Sequence, residues 1–181
     1  TLEKNWKNTF KEFRIDDKCH FIANGSLNKI VEGDHNYADK ERYDLILVDE
    51  AHKFRNHKSQ QFENLQVICK SGRENIGGIE GFEKKVVLIS ATPLNNKPED
   101  IYYLISLFQD IRNSNLAETN LQKYFYPHTI RYKALIQQTP LDLKAIQEIF
   151  TDIRDKVVKD ITIRRTRTDL KNNERYAKDL Q

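Results

Sequence analysis

Residues Tyr43 to Asn56 read YDLILVDEAHKFRN, an apolar run that stops abruptly at two carboxylates, a small residue and a histidine. Four consecutive apolar residues (Leu45, Ile46, Leu47 and Val48) predict a strand buried on both faces, as in a parallel sheet covered by helices. Acids at the carboxyl end of such a strand lie where open α/β sheets bind their ligands. There an Asp can hold Mg2+ through oxygen, and a neighbouring Glu can orient or deprotonate a water. The competing reading is a solvated pair of acids at a strand end.

A second apolar strand, Lys85 to Ile89, runs into Ser90-Ala91-Thr92-Pro93-Leu94-Asn95-Asn96. Asp49, Glu50, Ala51 and His52 spell the DEAH form of the Walker B motif, and Ser90-Ala91-Thr92 resembles motif III of superfamily-two helicases and translocases. The order of the two motifs and their strand-then-loop setting are similar to that superfamily, in particular to its Snf-type helicase-like ATPases. Leu2 to Phe13 resembles the stretch at motif Ia, His20 to Ile30 the strand and turn around motif Ib, and Ile161 to Leu170 the basic segment that closes the first lobe. The resemblance therefore runs from near the first residue to about residue 170.

That resemblance implies an α/β fold of the P-loop NTPase class: a partial RecA-like parallel sheet flanked by helices, followed by a helical protrusion. Residues 1–96 would form the truncated first lobe, and residues 97–181 a helical extension leading to a second RecA-like lobe. It implies a DNA-dependent ATPase that uses ATP and Mg2+ to move along duplex DNA. In the family, the residue matching Asp49 coordinates Mg2+ through water, and the one matching Glu50 activates the attacking water. His52 would link the nucleotide site to Ser90, Ala91 and Thr92, which couple it to DNA. Asn24, Ser26 and Lys29, with Lys4 and Lys7, sit in the segments similar to motifs Ia and Ib. These line the strand-tracking groove and meet phosphate rather than bases, so recognition should be sequence-independent and salt-sensitive. Arg164, Arg165 and Arg167 would contact phosphate or brace the hinge between lobes. The plainer readings are a surface histidine at position 52 and a solvated basic run at 164–167. Two rival functions stay open: an RNA-directed DEAH helicase lobe, and a non-catalytic RecA-like interaction module.

No G-x-x-x-x-G-K-[ST] occurs in the 181 residues, so no phosphate-cradling loop or its lysine is present in them. In the family that loop precedes motif Ia. With no Met in the sequence, the chain reads as an internal piece of a larger protein, inactive in isolation. A net charge of +3 is too small to prove nucleic-acid binding. Cys19 and Cys69 are too few for a disulfide framework and fit free thiols in a reducing compartment. His20, His35, His52, His57 and His128 show no zinc-ligand spacing. No apolar run approaches the roughly 18 residues of a membrane span and no signal peptide opens the chain, so a soluble, cytoplasmic setting is expected, and the resemblance to bacterial helicase-like proteins implies a bacterial one.

Periodicity and turn chemistry supply the remaining elements. Leu2, Trp6, Phe10 and Phe13 predict an amphipathic first helix, and Lys18 to Ala23 a short strand opened by Cys19. Glu32 to Lys40 and Ser71 to Glu83 read as loops, while Ser59 is placed to cap a helix bearing Phe62, Leu65, Val67 and Ile68. Pro98 opens a helix carrying Ile101, Leu104, Ile105, Phe108 and Ile111. The aromatic stretch Leu121 to Ile136, interrupted by Pro127, suits helical-core packing better than base stacking. Thr139 is the predicted cap of a long helix whose inner face is Leu143, Ile146, Phe150, Ile153 and Val157.

Overall fold

The computed structural model describes residues 2–72, 83–90 and 97–163. In chain order the elements are α1 (Leu2–Glu12), α2 (Leu27–Val31), β1 (Leu45–Val48), α3 (Gln60–Lys70), β2 (Lys85–Leu88), α4 (Pro98–Ser106), α5 (Leu121–Leu135) and α6 (Leu143–Ile153). Contacts divide the chain into two units. One holds Thr1–Pro93 with Tyr103–Phe108, and the other Leu94–Tyr102 with Gln109–Gln181. Arg164, Arg165 and Arg167, residues 73–82 of the expected glycine-rich loop, and residues 91–96 lie outside the described residues.

In the first unit β1 and β2 pair in parallel, with Leu45 opposite Lys85 and Val48 opposite Leu88. One face of this sheet is core: Val48 joins Leu27, Ile30, Phe54, Phe62, Leu65 and Ile68, with Ile46, Val86 and Leu88 packed against them. The strand expected to be buried on both faces is instead half open, since Leu45, Leu47 and Val87 are 51, 38 and 44% exposed. Side chains alternate across a strand, so helices packed on one side bury only every second residue. Among the described residues the other side is only partly covered.

Helix α3 starts where Ser59 Oγ accepts the Phe62 amide, which satisfies one of the orphan donors of the first turn. Phe62, Leu65, Ile68 and Cys69 then recur at three- and four-residue spacing and are buried, whereas Val67 points to solvent. At the other end the Lys84 ammonium donates to the Ile68 and Ser71 carbonyls, closing the helix from outside it. Its burial lowers the pKa of Lys84. Cys69, also buried, has its thiol pushed up to about 12, and Cys19 and Cys69 are both free.

Two local expectations in this unit are corrected. Helix α1 ends at Glu12, and Phe13 is exposed rather than part of the apolar face. The chain leaves through Arg14 in the left-handed region (φ 56°), with Ile15 N–H donating to the Phe10 carbonyl and Arg14 N–H to that of Lys11. This is the Schellman pattern, here made without glycine. Lys18 to Ala23 forms no strand. Cys19 and Ala23 have extended dihedrals, but the segment joins no ladder and runs into the 3-10 turn Asn24–Ser26.

In the second unit α5 passes through Pro127 without stopping. Both halves are tied to α6, Tyr124 and His128 through Asp152 and Arg131 through Glu148. These anchors hold the segments on either side of the missing N–H in line. Asn120 caps α5 by accepting the Lys123 amide. The cap of α6 is Asp142, which accepts the Ala145 amide, and not Thr139. The helix begins at Leu143, which puts Asp142 and not Thr139 at the position whose side chain reaches the free amides of the first turn. The buried face is Ala145, Ile149, Ile153 and Val157, with Ile146 and Phe150 flanking it and Leu143 69% exposed. Beyond Ile153 the helix widens into a π turn, Arg154–Val158, that buries both Val157 and Val158. Among the described residues no helix is long and apolar enough to cross a membrane.

Candidate functional site

The pairing of β1 and β2 extends past the strands themselves. Ile89 N–H donates to the Val48 carbonyl at 2.8 Å, and Ala51 N–H donates to the Ile89 carbonyl at 2.9 Å. Because the strands are parallel and in this register, Asp49, Glu50 and Ser90 leave the same sheet edge, the carboxyl ends of both strands. Ser90 is half-buried there; Ala91 and Thr92 lie outside the described residues.

Asp49 is half-buried and fixed at both oxygens. Oδ1 accepts the backbone N–H of Glu50 at 2.9 Å, and Oδ2 accepts the Trp6 indole N–H at 2.9 Å. A carboxylate has about four acceptor positions, so each oxygen keeps one for another ligand. Glu50 adopts a left-handed backbone (φ 54°, ψ 43°), uncommon for a residue with a side chain and worth about 1–3 kcal/mol of strain. Neighbouring bonds enforce it: Ala51 is fully buried and bound to Ile89, and the Glu50 carbonyl accepts the Lys53 amide at 3.0 Å. The 3-10 turn Ala51–Arg55 then brings His52 back, its Nδ1 3.1 Å from Glu50 Oε2. The pair is close but out of line for a hydrogen bond, which leaves Nδ1 a buried nitrogen lacking one among the described residues.

This donor set fits Mg2+ with a nucleotide. Mg2+ takes oxygen ligands in octahedral geometry and is usually bound by one or two carboxylates plus waters and phosphate oxygens. Asp49 supplies one oriented carboxylate, and the unsatisfied His52 nitrogen beside Glu50 is a polar group awaiting a partner. Among the described residues no group of three or more His, Cys, Asp or Glu could hold a metal ion by itself.

The residues considered for nucleic acid lie elsewhere in the first unit. Asn24 and Ser26 are half-buried in the 3-10 turn ahead of α2, and Lys29 is exposed on α2 with its ammonium 5.8 Å from the Tyr37 ring centroid. Lys7 is paired with Glu3 and lies 5.4 Å from the Phe21 ring centroid; Lys4 is exposed. Asn24 also borders a cleft of about 510 Å3 rich in amides, with Asn28, Gln60, Gln61 and Asn64. Neither Asp49 nor Glu50 lines that cleft.

Sequence reasoning missed two features. Trp6 enters the sequence pattern only as part of the apolar face of α1, yet its N–H reaches Asp49. The second is a polar network in the second unit. Asp152 Oδ2 accepts Tyr124 Oη at 2.7 Å and lies 3.1 Å from His128 Nε2, while Oδ1 is 3.1 Å from Lys156 Nζ. Burial raises the Tyr124 pKa, helped by Asp152, and lowers that of His128 despite the nearby carboxylate. For Asp152 burial acts upward, but bonds from Tyr124 and Lys156 outweigh it and hold the carboxyl below its ordinary range. The signal was present as Tyr124/His128 and Asp152/Lys156, two four-residue spacings on helical segments.

The family described as the type III restriction enzyme, res subunit, matches residues 2–95. An "Uncharacterized ATP-dependent helicase YqhH" from Bacillus subtilis (strain 168) is 34% identical over 67 residues, 37% of this chain. The match spans only 10% of that protein's length. No solved structure matches the chain. The family match takes in both strands and both acids and covers just over half of the sequence. The chain thus belongs to the type III restriction enzyme res-subunit family, a helicase-like domain of superfamily two.

Proposed function

We propose that this chain contributes the metal and water-activating half of an ATP site in a Snf-type, DNA-dependent translocase. The observation that supports this most is the shared edge: Asp49, Glu50 and Ser90 project from adjacent parallel strands bonded through Val48, Ile89 and Ala51. The helicase description of the Bacillus protein supports ATP as the cofactor. Bound Mg2+ would supply charge neutralisation at the phosphate oxygens and order the water ligands. Asp49, already oriented by the Glu50 amide and the Trp6 indole, would hold that ion through water. Glu50, held back by its left-handed backbone, accepts a proton from the attacking water at its carboxylate. His52, 3.1 Å from Glu50, relays the state of that carboxylate to the Ser90–Thr92 turn. On this reading Asn24, Ser26, Lys29, Arg164, Arg165 and Arg167 meet the duplex backbone, and a second RecA-like lobe completes the site. The 181 residues alone, holding no phosphate loop, release no phosphate.

The test is phosphate release by a protein that joins this chain to a phosphate-binding loop and second lobe. Glu50→Gln is expected to retain ATP binding while losing about 10²–10⁴-fold in turnover, the usual worth of a general base. Duplex DNA is expected to stimulate the unmutated protein more than RNA does. Equal turnover by the Gln variant sinks the assignment of Glu50, and preferential stimulation by RNA moves the reading to the RNA-directed class.

A further inference from the structure

Helix α1 and the end of β1 are joined by a side-chain hydrogen bond, Trp6 Nε1 to Asp49 Oδ2 at 2.9 Å, spanning 43 residues of sequence. The indole is braced by aromatic neighbours: Trp6 lies against Phe10 with ring centroids 5.6 Å apart, and Phe10 against Phe21 at 5.5 Å. An indole N–H is a donor only, so its partner must present an acceptor. The second Asp49 oxygen is bonded to the Glu50 amide, and the carboxylate therefore has no rotation that keeps both bonds.

We infer that Trp6 is a positioning residue for Asp49, locking the carboxylate in the rotamer that offers its remaining lone pairs to the water ligands of a divalent cation. This rests on the reading of Asp49 as the group that holds Mg2+. A structural tryptophan also seeks an acceptor for its N–H, and a backbone carbonyl would serve. Here its polar atom is spent on a half-buried charged group, the kind of hydrogen bond that is stronger than a neutral one.

The sequence contains one tryptophan, so its indole N–H gives a single side-chain resonance in the proton–nitrogen spectrum of the whole chain. Mn2+ added together with ATP, whose phosphate oxygens complete the coordination that one carboxylate leaves open, serves as the probe, with bound ion measured independently by water-proton relaxation. Asp49→Ala is expected to move the indole resonance upfield. Mn2+ is expected to broaden that resonance in the unmutated chain and not in Asp49→Ala. Trp6→Phe, which keeps the ring and deletes the donor, is expected to weaken Mn2+ binding about tenfold. An indole resonance unmoved by Asp49→Ala overturns the inference, and this arm decides even if Trp6→Phe fails to fold. Mn2+ binding that is lost in Asp49→Ala yet unchanged in a folded Trp6→Phe overturns the inference and spares the metal reading. Mn2+ binding absent from the unmutated chain, or unaffected by Asp49→Ala, removes the metal reading and the inference together.

Discussion

Glu50 shows how one residue trades stability for position. Its left-handed backbone is forced by the bonds that hold Ala51 to Ile89, and it turns the carboxylate back toward His52. Glycine occupies that conformation without a Cβ penalty. Glu50→Gly is therefore expected to raise the chain's resistance to urea by about 0.5–1 kcal/mol, while removing turnover from any protein that depends on it. Denaturation midpoints of the two chains check this, and a lower midpoint for the glycine variant contradicts the strain. His128 makes the second residue-scale prediction. Its pKa lies below the ordinary value of 6.5 because burial disfavours the charged form, and Lys156 and Arg131 act in the same direction against Asp152. The unfolded state then binds the proton first as pH falls. Stability of the network is thus full above about pH 6.5 and declines as pH drops through the folded value. Thermal unfolding at pH 7.5 and 5.5 should show a larger loss in the unmutated chain than in His128→Gln. Equal losses contradict the sign. The acid pair, its strand and the histidine beside it were legible in Asp49-Glu50-Ala51-His52, because a motif is a local arrangement. The Trp6 bond was not, since it joins residues far apart in sequence and the apolar periodicity of α1 already accounted for the ring.

At the scale of elements, the readable features were those with a local cause. Ser59 starts α3 and Pro98 starts α4 as turn chemistry requires. Ser59→Ala is expected to cost about 1 kcal/mol by orphaning the Phe62 amide. Urea unfolding monitored by helix content checks it, and an unchanged midpoint means water replaces the cap fully. The misread elements had non-local causes. Strand Lys18–Ala23 had the composition of a strand but no neighbour to bond with. Helix α6 starts three residues later than its expected cap Thr139 implies, and Asp142 takes the capping place. Periodicity rotated the buried face by about one position, because Leu143 and Ile149 are equally apolar and only packing distinguishes them.

At the scale of the whole molecule, the α/β class and the parallel pairing followed from two apolar runs separated by a helix. The one-sided burial of the sheet did not, because an apolar run reads the same whether one face or two are covered. Leu45, Leu47 and Val87 leave an open apolar face next to the strand that carries the acids. The family match embraces these strands, while the helices beyond residue 95 fall outside it, and the chain spans about a tenth of its Bacillus relative. The proposed function is therefore tested most directly at the sheet edge. The decisive measurement is Fe2+-directed backbone cleavage, with Fe2+ and ATP replacing Mg2+ and ATP in a protein that joins this chain to a phosphate-binding loop. The account requires cuts clustered beside Asp49–Glu50 and Ser90, abolished by excess Mg2+ and by Asp49→Ala. Cuts confined to other segments, or unchanged in Asp49→Ala, would contradict it.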